Sequence, residues 1–175
     1  MRDLDPRFRE LRPEVLGPLP DDDLPAAVYE HVLHHCLPDL GHEVDIVTGL
    51  PKAIQAVYAT ALLDNDVNNG GFNQFFWNSS GEFALLALEG LELFGATDHA
   101  AVVRKAIATY EAERVVLERY REDGSSEAFS ESYKHTTLGQ CDEAYYDLGF
   151  DSLRDAQVRF VRTHLEDFRS GAPAV

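Results

Sequence analysis

Three groups of side chains in this sequence could carry chemistry. His31, His34, His35 and Cys36 crowd one short segment. His31 and His35 stand four residues apart, the spacing at which two imidazoles on one helix face share a Zn²⁺ or Ni²⁺. His42 could add a third ligand from the loop that follows, although the Glu of a His-Glu-x-x-His pattern is missing. Asn69, Gln74 and Asn78 form the second group. Amides of this kind line a ligand or catalytic pocket if they point outward, and satisfy the chain's own polar groups if they point inward. The third group is carboxylate: Asp64 and Asp66 could approach one divalent cation, but the full ligand schedule of an EF-hand is absent. Cys141 next to Asp142 invites a nucleophile reading with one of the histidines, yet no fixed local spacing supports it. A buried structural cysteine is the simpler reading, with Tyr145 and Tyr146 beside it as core or interface residues. The sequence contains no phosphate loop, no Ser-His-Asp pattern and no paired-carboxylate motif in a defined fold context.

The elements that must position these groups read as helices throughout, so the expected fold is an all-α, single-domain bundle of about five to seven helices. Residues 1–25 hold five prolines and no apolar period, which predicts an extended or partly disordered arm. A helix follows Asp23, with Val28, Val32, Leu33 and Cys36 facing inward. Pro51 opens a second, with Ile54, Val57, Tyr58, Ala61 and Leu62 at helical spacing. A third, Glu82 to Phe94, is apolar on most of its circumference and reads as the most buried element. A long helix from Thr97 or Asp98 to about Glu122 carries salt-laced charges on its wet face. Residues 123–137 read as a loop or frayed turn, and two helices close the helical domain of residues 26–170, around Leu138–Leu148 and from Ser152 to about Arg169. Residues 171–175 read as a flexible tail.

The organising stretch is Asp64–Gly81, which holds two adjacent glycines, the only Trp and a run of amides. Asn68, Asn69, Gly70 and Gly71 tolerate left-handed backbone angles and should stop the incoming helix. Phe72, Phe75, Phe76 and Trp77 then cover one aromatic turn, and Ser79 stands three residues before Glu82 as in a capping box. Gln74 and Asn78 share a face and could hold the backbone of the Gly-Gly turn. The segment reads as helix stop, aromatic turn and helix start, either a scaffold hinge or the floor of a pocket.

Charge is the strongest compositional signal. The 175 residues carry a net charge of −16, and residues 13–103 hold 14 acidic side chains against a single basic one, Lys52. Such a field repels nucleic acid and phosphorylated lipid headgroups and attracts basic surfaces; it also maintains solubility. With 45% hydrophobic residues the chain is nevertheless globular. Cys36 and Cys141 show no pairing pattern, and no apolar segment begins the chain or is long enough to span a bilayer. The expectation is a cytoplasmic protein with no membrane contact and no cofactor.

The run Asn68-Asn69-Gly-Gly-Phe-x-Gln-Phe-Phe-x-Asn-Ser-Ser-Gly resembles the bacterial DNA-mimic protein family (DNA mimic protein nineteen-like), long known as a domain of unknown function. The match is specific at Val67–Gly81 and looser over about 28–168, where Leu138-x-x-Cys-Asp-x-x-Tyr-Tyr-x-Leu is similar to a second, weaker segment. Asp66 stands where a Glu is expected. The resemblance implies an all-helical fold, a homodimer, and an acidic surface that occupies a basic DNA-binding protein such as a helix-turn-helix regulator or nucleoid protein. The candidate surface is Asp64, Asp66, Glu82, Glu89 and Glu92 with Asp39, Glu43, Asp45 and Asp21–Asp23, since acids three or four apart on a helix space like a phosphate array. The favoured reading is therefore a non-enzymatic acidic interaction module. Two others stay open: a small-ligand or enzymatic site at Asn69, Gln74 and Asn78, and a metal-bound regulator built on His31, His35 and His42.

Overall fold

A computed structural model describes residues 6–37 and 42–169, and among them the chain is all-α with no strand. The helices are α1 (Pro13–Leu16), α2 (Leu24–His31), α3 (Glu43–Thr48), α4 (Lys52–Trp77), α5 (Ala84–Leu93), α6 (Thr97–Asp123), α7 (Ser126–Ser132), α8 (Gly139–Tyr146) and α9 (Ser152–Thr163), with 3₁₀ turns between several of them and a π-helical turn, Val32–Cys36, continuing α2. None of them is long and apolar enough to cross a membrane.

The bundle is built round α4, against which α2, α5, α8 and α9 all pack. Every residue from Ala53 to Thr60 is buried, because most of the side chains on the first two turns are small or apolar and the amide of Gln55 is satisfied by Thr48 O and Leu50 O. This corrects the expectation for the third segment. Helix α5 buries only Ala84, Ala87, Gly90 and Leu91, while Leu85 is 65% and Leu93 50% exposed. The cause is the closeness of the α4–α5 crossing: a Cβ on Gly90 would stand 3.0 Å from Ala56 Cα and from its carbonyl oxygen. Only small residues fit at that seam, and Leu85 and Leu93 turn outward while Leu91 alone of the leucines is fully buried. A buried polar link joins α9 to α4, Gln157 Nε2 donating to Thr60 Oγ1 at 2.8 Å.

Two further expectations differ from the structure. The proline-rich start is not an extended arm in its described part: Leu11, Leu16 and Leu24 are fully buried, each carried inward by a short turn that a proline opens or closes. Arg162 on α9 fastens this segment, donating to Gly17 O at 2.8 Å, Leu19 O at 2.5 Å and Asp21 Oδ1 at 2.8 Å. Within 123–137, the loop contains α7, whose N-cap Ser125 accepts the Ala128 N–H at 3.1 Å, followed by a 3₁₀ turn at Tyr133–His135. Capping and the edge-to-face contact of Phe129 with Trp77, ring centroids 5.0 Å apart, hold a helix that has few aliphatics. Asp39 and residues 171–175 lie outside the described residues.

Candidate functional site

Helix α4 breaks at the two glycines. Gly70 (φ −157°, ψ 25°) and Gly71 (φ 72°, ψ −176°) leave helical geometry, and the chain then resumes a helix through the aromatic turn. Such a break orphans carbonyls on one side and N–H groups on the other, and α8 with its preceding turn supplies partners to both. Tyr146 donates to Val67 O and Tyr133 to Gly70 O, each at 2.7 Å. Asp142 Oδ1 accepts the Phe72 N–H at 2.7 Å, so a carboxylate seventy residues away in sequence caps the second half of the helix. A Cβ at Gly71 would fall 2.6 Å from Asp142 Cγ. Gly71 is therefore needed twice, for its positive φ and for the passage of that carboxylate.

The amides of the turn do not hold the Gly-Gly backbone. Gln74 Nε2 at 3.1 Å and Asn78 Nδ2 at 2.9 Å both donate to Asp66 Oδ1, and Ser80 donates to Asp66 Oδ2. Asp66 thereby ties the first half of α4 to the aromatic turn and to the 3₁₀ turn Ser79–Phe83. Ser79 is exposed and makes no capping box, because Ser80 takes the inward role beside it. Gly81 permits the close return of this turn, a Cβ there falling 2.9 Å from Phe75 O and Phe76 Cα. Phe72 and Phe75 are fully buried, Asn73 Nδ2 donates to Ser132 Oγ at 2.8 Å, and Asn69 is exposed. Gln74 and Asn78 are thus spent internally and do not converge with Asn69 on a pocket.

Beside the kink, where α8 meets the starts of α6 and α9, lies a cavity of about 100 Å³ lined by Asp64, Asn68, His99, Tyr145, Tyr146 and Phe150. Tyr145 Oη and Asn68 Nδ2 donate to the same oxygen, Asp64 Oδ1, at 2.9 and 2.8 Å. Burial pushes the Asp64 carboxyl up, and these two hydrogen bonds and the nearby His99 hold it back. Burial and the Asp64 charge both raise Tyr145, keeping it a donor. His99 is driven down by burial against the pull of Asp64 and Asp98. Its Nε2 lies 3.2 Å from Ser152 Oγ, and Ser152 donates its own proton to Gly149 O at 2.7 Å. The hydroxyl must therefore accept from His99 Nε2–H. A serine, a histidine and an aspartate do meet here, but the imidazole gives its proton to the serine, the reverse of what activates a nucleophile.

The histidine cluster comes apart. His31 is wholly buried, its Nδ1–H donating to Phe8 O at 2.7 Å, which leaves Nε2 to accept from the Cys36 thiol at 3.3 Å. Burial lowers His31 and pushes Cys36 up to about 11, so both keep the protonation that this pairing needs. With both ring nitrogens used, His31 cannot share a cation with His35, whose ring centroid is 6.2 Å away, or with the exposed His42. No set of three potential ligands assembles among the described residues.

The acidic candidates divide as well. Asp64 and Asp66 accept internal hydrogen bonds and are only partly exposed. Glu89 pairs with Lys52 at 3.6 Å and Glu92 with Arg104 at 2.5 Å. Glu43, Asp45 and Glu82 make no ion pair among the described residues, and Asp21 is held by Arg162 and Asp22 by Arg154. Sequence reading missed Asp142, His99, Tyr133 and Ser152 as members of the site. One signal was present: Asp142 and Tyr146 stand four apart on α8, so one helix face meets both sides of the kink.

An all-helical, strongly acidic domain organised on a kinked central helix is the class of protein these features define. Residues 48–164 match the family of DMP19-like proteins, and the chain belongs to that family. No curated protein and no solved structure matches it.

Proposed function

We infer that the protein is an acidic protein-interaction module that occupies the basic DNA-binding surface of a regulator or nucleoid protein, as a stand-in for DNA and without catalysis. The observation that carries this reading is that, in a chain of net charge −16, Glu43, Asp45 and Glu82 make no ion pair among the described residues; the surroundings of Tyr29 add support. Three carboxylates from three different helices, Asp66 on α4, Glu43 on α3 and Glu30 on α2, all act on the single hydroxyl of Tyr29 and, after burial, raise it. Tyr29 stacks on Tyr58, and Tyr58 meets Phe83, the sequence neighbour of Glu82, edge to face. The partners of Asp66 are amides and a hydroxyl and that of Glu30 is His34, so among the described residues no lysine or arginine pairs with either. A negative field attracts a Lys/Arg groove and weakens with salt. Within this reading a second copy of the chain covers the exposed Leu85 and Leu93 to form a homodimer, which light scattering tests directly.

The test is a pull-down from native lysate with the full chain and with a Glu43→Gln, Asp45→Asn, Glu82→Gln variant, which leaves the internally bonded Asp64 and Asp66 untouched. A basic DNA-binding protein should be retained by the wild type, released by rising salt and by duplex DNA, and lost from the variant. Retention of nothing basic, or equal retention by the variant, removes the reading.

A further inference from the structure

The cavity beside the kink presents chiefly hydrogen-bond acceptors and aromatic faces. Its hydroxyl and imidazole protons are already committed: Tyr145 to Asp64, Tyr146 to Val67 O and His99 Nε2–H to Ser152. Apart from the second amide proton of the exposed Asn68, what remains accepts. Both bonds to Asp64 fall on Oδ1, so Oδ2 has no partner among the described residues. His99 is 6% exposed, and its Nδ1, an acceptor once Nε2 carries the proton, has none either. No fully buried side-chain nitrogen or oxygen is left unpaired among the described residues. Both atoms therefore reach the surface, and the cavity is the opening that both residues line. Gly149 at φ 91° turns the chain so that Phe150 stands 77% exposed at its rim.

We propose that this cavity binds an organic ammonium or guanidinium cation, seated on Asp64 Oδ2 and His99 Nδ1 against the rings of Tyr145, Tyr146 and Phe150. A donor-rich cation is the group that fills two vacant acceptors at once, one of them a charged carboxylate. Aromatic faces add attraction for it that they do not offer an anion. The starts of α6 and α9 open beside the cavity and would by themselves draw an anion, but Asp98 and Asp155 already occupy their first turns. A metal ion finds too few ligands here, Asp64 and His99 alone. At about 100 Å³ the space is well below the roughly 300–1,000 Å³ of drug-sized sites and suits one cationic head group. A free small amine and the tip of a partner's lysine present the same chemistry. The inference stands apart from the DNA-stand-in reading, because a free amine fills the cavity whether or not the acidic face takes a partner.

The experiment titrates the full-length ¹⁵N-labelled protein with ethylammonium, methylguanidinium and Nα-acetyl-lysine amide, at ionic strength held constant with NaCl. The expected result is saturable shifts of the Asn68 side-chain amide, the His99 ring and the backbone of residues 149–153, absent with NaCl alone. Asp64→Asn, which keeps an acceptor for Tyr145 and Asn68, should weaken binding about tenfold. Phe150→Ala, at a position too exposed to affect folding, should weaken it by about threefold. Equal binding of ethylammonium and the lysine amide assigns the site to free amines; binding of the lysine amide alone assigns it to a protein side chain, and both support the proposal. Absence of saturable shifts with all three cations, or wild-type affinity in Phe150→Ala and in any folded Asp64→Asn protein, overturns it. The acidic-face variant retains Asp64 and Phe150, so the two readings fail separately.

Discussion

The carboxylate of Asp142 reaches the backbone N–H of Phe72 through the space that a side chain on Gly71 would fill. One contact thus fixes where α4 breaks, how its second half is capped and where α8 lies against it.

Gly71→Ala should therefore destabilise by about 2–4 kcal/mol, combining the cost of a positive φ with displacement of a charge-assisted hydrogen bond. Asp142→Ala alone should cost about 1–2 kcal/mol as a lost cap. Because the first change acts partly through the second residue, the double variant should be less destabilised than the sum. Urea denaturation of the four proteins measures this, and strict additivity would show that the carboxylate is not what Gly71 accommodates.

Asp66 and Asp45 are both acids of the charge-rich half, yet neutralising them should have different effects. Asp66→Asn replaces an acceptor with an amide donor inside a ring of donors from Gln74, Asn78 and Ser80, and should cost about 1–3 kcal/mol. Asp45→Asn, exposed and with no ion pair among the described residues, should stay within about 0.5 kcal/mol of wild type. Thermal melts at fixed salt separate the two, and equal effects would argue against Asp66 as an internal tie.

The buried histidines set a pH dependence. Burial places the folded-state values of His31 and His99 below their ordinary 6.5. Their contribution to stability is thus complete above pH 6.5 and is lost as pH falls from there toward the lower folded values. Asp64 and Asp142, raised above 3.8, act in the opposite sense: their contribution is complete below pH 3.8 and is lost as pH rises through the folded values. Between pH 7 and pH 5 the unfolding free energy should fall on the histidine account, and fall less steeply in His31→Asn. Urea melts across that range provide the measurement; identical slopes would show that His31 does not titrate with unfolding.

At the α4–α5 seam, Gly90→Ala places a methyl 3.0 Å from Ala56 Cα and Thr60 Cγ2. Neither helix backbone can yield locally, so a loss of about 1–3 kcal/mol is expected. Leu85→Ala on the opposite side of α5 should change the stability of the monomer little, and chemical denaturation of the two variants at a protein concentration low enough to dissociate a dimer distinguishes a tight seam from a general sensitivity of that helix.

Much of the fold was legible because helical signals are local. The apolar period from Ile54 to Leu62 and the length of α6 could be read directly, and Gly70-Gly71 marked the break. The errors share one cause. Leu11, Leu16 and Leu24 show no period because each sits on a separate short turn, and α7 is held by its cap and ring contacts rather than by an aliphatic stripe. At the site, Gln74 and Asn78 were recognised as polar joinery with the wrong acceptor, Asp66 being read as acidic surface; Asp142 showed only in its spacing from Tyr146, and the role of His99 was not visible at all.

The sequence by itself determined the all-helical class, the family, the break in the central helix and the excess of negative charge, since each follows from residue type or from spacing within a few turns. Only the tertiary structure decided which polar groups the chain consumes and which it leaves free. Asp142 finds Phe72 70 residues away, Tyr145 finds Asp64 at 81 and Gln157 finds Thr60 at 97. Such pairings depend on how the helices dock, and helical periodicity carries no record of docking beyond the face that is buried.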